Sequence, residues 1–140
     1  MRDKAFVDTN VFIYAYSKTE PEKKNIALEI LKNQDVIINT QVINEFIWVM
    51  NRKFSVPMEK LRDLGVKLLQ RFEIVLIDQT TIKKALDIAI GYKYSYWDSL
   101  IIASALENNC SICYSEDMQH GQIIEDRLRI INPFESVQGG

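Results

Sequence analysis

Four carboxylates occupy places where folding alone would favour something else. Asp8 follows the apolar run Ala5-Phe6-Val7, and Val11, Phe12 and Ile13 resume that run after Thr9 and Asn10. Asp117 follows Ile112-Cys113-Tyr114 by way of Ser115 and Glu116. On a helical projection Glu45 borders the apolar arc of Val42, Ile43, Phe46 and Met50, and Asp98 lies inside the arc of Ile101, Ile102, Ala105 and Leu106. A carboxylate on an apolar face is costly unless it is paired or binds a metal. Four of them held together would repel, and some would stay protonated without a cation. Mg²⁺ or Mn²⁺ resolves that conflict, because a hard divalent ion takes oxygen ligands, keeps waters and joins carboxylates to substrate phosphates. Thr9, Asn10 and Ser115 supply neutral groups suited to orienting such ligands.

Each acid also has a plainer reading. Asp8 could cap the short helix that follows it. Asp98 could complete a capping box with Ser95. Glu45 could be a solvated rim residue, and Asp117 an ordinary loop acid. These readings hold for each acid alone and weaken together, since four accidents would have to meet at one place.

The elements that must position these residues follow from the apolar pattern. Strands are expected at 4–7, 36–38, 74–77 and 112–114, with a possible fifth at 128–131. Helices are expected over 10–16, 21–32, 41–53, from Pro57 onward, 80–92 and 97–108. In the helix after Pro57, Leu61, Leu64, Leu68 and Leu69 are expected to face inward. Short continuous apolar strands alternating with helices indicate an α/β fold, a mainly parallel sheet of four or five strands covered on both faces. Ligands in such sheets bind beyond the carboxyl ends of the strands, near a switch in strand order. Asp8 and Asp117, each just past a strand, should therefore share one edge.

The 140 residues fit a single domain, read here as 1–135 with a short tail at 136–140. A net charge of −2 gives no general attraction to nucleic acid or to an anionic membrane. No apolar run reaches membrane-spanning length, and the amino-terminal residues do not form a signal peptide, so a cytoplasmic protein is expected. Cys110 and Cys113 have CxxC spacing, but they fall between a helix and a strand. With His120 the single histidine, they read as core residues rather than a metal or redox site. Local positive charge is available at Lys18, Lys23, Lys24, Arg52, Lys53 and Lys93, the last beside Tyr94, Tyr96 and Trp97.

The sequence resembles the PIN-domain ribonucleases, and within them the VapC-like toxins of toxin–antitoxin pairs. The matching pieces are FVDTNVFIYA at 6–15, INEF at 43–46, YWDSLIIASA at 96–105, YSEDMQHGQ at 114–122 and INPF at 131–134. They stand in family order and span nearly the whole chain. The resemblance implies a PIN-like three-layer fold and metal-binding acids at Asp8, Glu45, Asp98 and Asp117. Asn10 and Ser115 then support the site, and Glu116 is an additional acid beside the expected fourth. It also implies Mg²⁺- or Mn²⁺-dependent hydrolysis of RNA to 5′-phosphate and 3′-hydroxyl ends, a homodimer, and inhibition by a cognate antitoxin. Two other readings compete. One is a PIN-like RNA- or protein-binding module without catalysis. The other is a phosphatase with Asp8 as nucleophile, in which Asn10 stands where a second Asp is needed.

Overall fold

The computed structural model describes residues 3–137; residues 1–2 and 138–140, which hold part of the expected tail 136–140, lie outside the described residues. The chain runs β1 (Lys4–Val7), α1 (Thr9–Tyr16), α2 (Pro21–Asn33), β2 (Asp35–Asn39), α3 (Thr40–Arg52), α4 (Met58–Arg71), β3 (Glu73–Val75), α5 (Gln79–Tyr92), α6 (Tyr96–Glu107), β4 (Ile112–Tyr114), β5 (Ile123–Ile124) and β6 (Leu128–Ile131). Every element expected from the pattern is present. β5 is additional: two residues are too few to show a period, and they pair antiparallel with β6 across the turn at 125–127, where Glu125 and Asp126 take φ values of 50° and 57°.

One sheet orders the strands β3-β2-β1-β4-β6-β5, parallel throughout except β5. It is a three-layer α/β sheet with helices on its faces. Phe6, Ile37, Ile38, Cys113 and Ile130 are fully buried in it, as residues of a sheet covered on both sides must be. Chain order reverses between β1 and β4, which makes that crevice the switch point. Val7 pairs with Tyr114, so the residues that follow, Asp8 and Ser115, leave the sheet side by side.

The inward face of α4 differs from the expected one. Leu61 and Leu68 are buried with Gly65 between them, Leu64 is half-buried, and Leu69 is 54% exposed. Leu61, Gly65 and Leu68 form the inward row, where a β-carbon at Gly65 would stand at an ordinary 3.7 Å from Ile47 of α3, and Leu69 lies off that row. Both cysteines are buried and free, and burial pushes the Cys110 thiol up to about 12 and Cys113 well above its ordinary value. Neither forms a reactive thiolate near neutral pH. Among the described residues no helix is long and apolar enough to cross a membrane.

Candidate active site

Asp8 is the N-cap of α1 and also bonds across to the end of β4. As N-cap of α1 it accepts the Thr9 N–H at 2.7 Å through Oδ1, while Oδ2 accepts from the Ser115 hydroxyl at 2.9 Å. The strand register makes that second bond possible, because Asp8 and Ser115 continue paired strands. The Thr9 hydroxyl donates to Glu45 Oε2 at 3.1 Å, which fastens α3 to the β1–α1 turn. Asn10 Nδ2 donates to Asp117 Oδ2 at 2.9 Å, and the Asp117 N–H points to Ser115 Oγ at 3.3 Å. Thus Thr9, Asn10 and Ser115 each hold one of the acids.

Asp98 arrives from the first turn of α6. Ser95 caps that helix, its Oγ accepting the Asp98 N–H at 3.1 Å, a bond that uses the Asp98 backbone. The helix itself is positioned by a residue the sequence reading did not single out. Asn39 is fully buried at the end of β2; its Oδ1 accepts from Val42 N–H at 3.0 Å and its Nδ2 donates to Ser104 at 2.8 Å. One amide therefore caps α3 and ties it to α6, fixing the two helices that carry Glu45 and Asp98. The local signal was a polar N-cap after an apolar strand; the partner, 65 residues away, has no local signal.

The electrostatics identify the four acids as neighbours. Burial pushes Asp8 up to about 6, opposed by the bonds from Thr9 and Ser115 and reinforced by the charges of Glu45 and Asp98. Asp98 is raised by burial and by Asp117 and Glu45, with Ser95 acting against the shift. Asp117 is raised by burial, then by Glu116 and Glu45, with Asn10 opposing. Among the described residues no Lys or Arg forms an ion pair with any of the four. Nor is any group of three or more His, Cys, Asp or Glu side chains drawn tightly enough to enclose an ion. An oxygen-only donor set of this kind suits an ion that retains much of its water shell.

Glu116, adjacent to Asp117, turns the other way. It accepts from the Tyr14 hydroxyl at 2.6 Å and pairs with Lys23 at 2.8 Å. Lys23 Nζ also sits 4.7 Å from the Tyr14 ring centroid and 5.8 Å from that of Phe134. This clasp joins α1, α2 and the chain end. Its chemistry pushes the Tyr14 hydroxyl up to about 12, chiefly by burial and then by its bond to Glu116. Lys23, listed above with the free positive charges, is committed to it. Glu116→Gln is expected to cost about 1–2 kcal/mol of stability, between the values for exposed and buried pairs. The acids around Asp8 should keep their metal response. Urea denaturation with and without Mn²⁺ measures both; loss of the Mn²⁺ response would place Glu116 in the acidic site.

Other basic candidates are also partly engaged. Arg52 lies 5.6 Å from the Trp48 ring centroid and Lys53 lies 5.7 Å from that of Phe54. Lys93 is exposed and ends α5 in the left-handed conformation, φ 63°, which turns the chain into α6. His120 accepts from the Asn132 N–H at 2.9 Å and contacts Glu135, apart from the acids.

A family model described as PIN domain matches residues 5–123. No curated protein sequence matches the chain. Among solved structures, the fold is similar to a chain of a toxin–antitoxin complex from Klebsiella pneumoniae, with 20% identity, 94% of this chain and 98% of that one covered, and a TM-score of 0.72. FitAcB from Neisseria gonorrhoeae is similar at 18% identity, with 94% and 99% covered and a TM-score of 0.69. A sarcin–ricin-loop-cleaving VapC toxin of Mycobacterium tuberculosis is similar at 14% identity, with 79% and 88% covered and a TM-score of 0.65. At these identities the likeness speaks to the fold.

Proposed function

This chain belongs to the PIN domain family, and on that footing we propose that it is a divalent-metal-dependent endoribonuclease, the toxin of a toxin–antitoxin pair. The observation that carries the reading is the meeting of Asp8, Glu45, Asp98 and Asp117, from four separate segments, at the switch point of the sheet. Burial, and then the neighbouring carboxylates, raise the proton affinity of Asp8, Asp98 and Asp117, and among the described residues no Lys or Arg forms an ion pair with any of the four.

Asp8, Asp98, Glu45 and Asp117 would hold Mg²⁺ or Mn²⁺. Such an ion supplies the Lewis acidity that makes water a nucleophile at neutral pH and steadies the leaving oxygen of a phosphodiester. The chain's own part is orientation. Thr9 N–H and Ser115 fix the two oxygens of Asp8, Thr9 Oγ1 fixes Glu45, and Asn10 fixes Asp117. These bonds set the directions in which the carboxylates face, and supporting hydrogen bonds of this kind raise metal affinity. The test is incubation of total RNA with the purified protein in Mg²⁺ or Mn²⁺ and in EDTA. Discrete, metal-dependent fragments bearing 5′-phosphates support the reading. Intact RNA despite metal binding by the protein would favour a catalytically silent binding module.

The partners follow from the same family. Solved structures of similar fold include VapBC2 from Rickettsia felis and VapBC from Salmonella typhimurium, both with DNA. A cognate antitoxin is proposed for this chain, with an acidic site that would attract a guanidinium. A homodimer is proposed as well. Its candidate surface is α5, where Ile82, Leu86 and Ile90 recur every fourth residue and are 41%, 51% and 76% exposed. Leu86→Glu is expected to convert dimer to monomer in light scattering; an unchanged dimer would place the interface elsewhere.

A further inference from the structure

We propose that the cavity beside Glu45 is a nucleobase subsite, taking one unpaired base of the RNA next to the bond that is cut. The inference rests on the ribonuclease reading above and adds to it where the substrate is recognised. The cavity has a volume of about 910 Å³ between α3 and α6, room for a nucleotide and its neighbour. Glu45 lines it, so anything seated there lies against the acidic site.

Two of its lining residues are tryptophans, and both are largely exposed: Trp48 at 63% and Trp97 at 64%. An exposed indole contributes little to a core, but it offers a flat face on which any base can stack. Tyr96 packs edge-on against Trp97, with ring centroids 5.6 Å apart, which limits the freedom of that indole before a base arrives. Ile77 and Leu100 complete apolar walls that suit a base better than a phosphate. Positive charge stands at the rim instead, where Arg52 lies over Trp48 and can meet the adjoining backbone phosphate.

The polar edge is supplied by Gln41, with Thr40 and Asn44 beside it. Gln41 Nε2 donates to Glu45 Oε1 at 2.8 Å and toward the Trp97 carbonyl at 3.3 Å. Those two acceptors fix which way the amide points. Its Oε1 is buried and has no partner among the described residues. A buried acceptor left unpaired costs stability unless a ligand completes it. Uncovered by a turn of the Gln41 side chain, that oxygen would meet an amino group on the edge of a stacked base, and stacking plus edge hydrogen bonds is how proteins recognise single-stranded RNA. The side chain of a protein partner could enter an apolar cavity too. The exposed indole pair, the rim cation and the orphaned amide oxygen together favour the base.

The test uses 5′-fluorescein-labelled single-stranded RNA of mixed sequence, with binding read by anisotropy in an Asp98→Asn chain, so that cleavage does not interfere. Trp97→Ala added to that chain is expected to weaken binding about 10- to 100-fold, the worth of one stacked base, and Trp97→Phe to restore most of it. In the chain with Asp98 intact, Gln41→Leu is expected to change which nucleotides flank the cut, read by mapping the new 5′ ends. Melting curves check that each variant folds. Unchanged binding in Trp97→Ala together with an unchanged cut pattern in Gln41→Leu would overturn the subsite, as would variants that lose only an antitoxin. The two proposals fail separately. RNA binding through Trp97 in a protein that never cleaves would overturn the ribonuclease and keep the subsite.

Discussion

Asp98→Asn is expected to lower metal-dependent RNA cleavage about 10³-fold, the scale on which charge-stabilising groups act in a transition state. The substitution is nearly isosteric. The backbone N–H bond to Ser95 that caps α6 does not involve the carboxylate, and so survives. The residue is half-buried at the edge of the site, its proton affinity raised by burial and by Asp117 and Glu45. Neutralising it removes one charge from the cluster that must hold the ion, while the fold keeps its cap. Stability should therefore change little and activity greatly. Single-turnover cleavage of a labelled RNA, beside a thermal melt of the same samples, separates the two. A variant that cleaves within about tenfold of the parent would leave Asp98 as a capping-box residue only.

Asp8→Asn should do something less intuitive: abolish activity and raise the stability of the metal-free protein. Asp8 is buried, and burial pushes it up to about 6 from an unfolded value of 3.8. The folded state thus favours the protonated form. The contribution of this group is fully present below about pH 4 and is lost as pH rises through about 6. Above that, ionised Asp8 costs the fold about 3 kcal/mol. Asparagine carries no charge and caps a helix as well as aspartate; its Oδ1 can accept the Thr9 N–H, and its Nδ2 can donate to Ser115 Oγ, which reverses that second bond. In EDTA at pH 8 the variant should melt roughly 3–10 °C higher than the parent, and the difference should vanish near pH 4. Mn²⁺ should reverse the order. At about 1,000 times its dissociation constant it would stabilise the parent by about 4.1 kcal/mol, more than the deficit of about 3 kcal/mol, and the variant far less. A variant less stable than the parent at both pH values would make Asp8 a structural cap.

How far the site could be read from the sequence depends on the range of the interactions that build it. Asp8 was legible because it directly follows a strand, and the stretch 115–117 because it follows another; strand ends at a switch point define where ligands bind. Asp98 was legible because a charge inside an apolar arc is anomalous on its own element. The separate fates of Glu116 and Asp117 were not legible. The two acids are adjacent, and what divides them is Tyr14 and Lys23, which reach Glu116 from α1 and α2, and Asn10, which takes Asp117. The bond from Asn39 to Ser104 was equally out of reach, since neither residue's neighbourhood names the other. The fold shows the same division. Long periodic helices and apolar strands were placed to within a few residues. The face of α4 was misjudged at Leu69, which the leucine spacing placed inward and the packing leaves exposed.

The central claim is that the four carboxylates form one ion-binding, RNA-cleaving site. The most direct test is a Mn²⁺ titration of the metal-free protein by calorimetry, with RNA cleavage followed in the same preparation. Binding and cleavage should rise over the same Mn²⁺ range, and both should collapse in Asp98→Asn. Cleavage that persists undiminished in EDTA, or Mn²⁺ binding that is the same in parent and variant, would contradict the account.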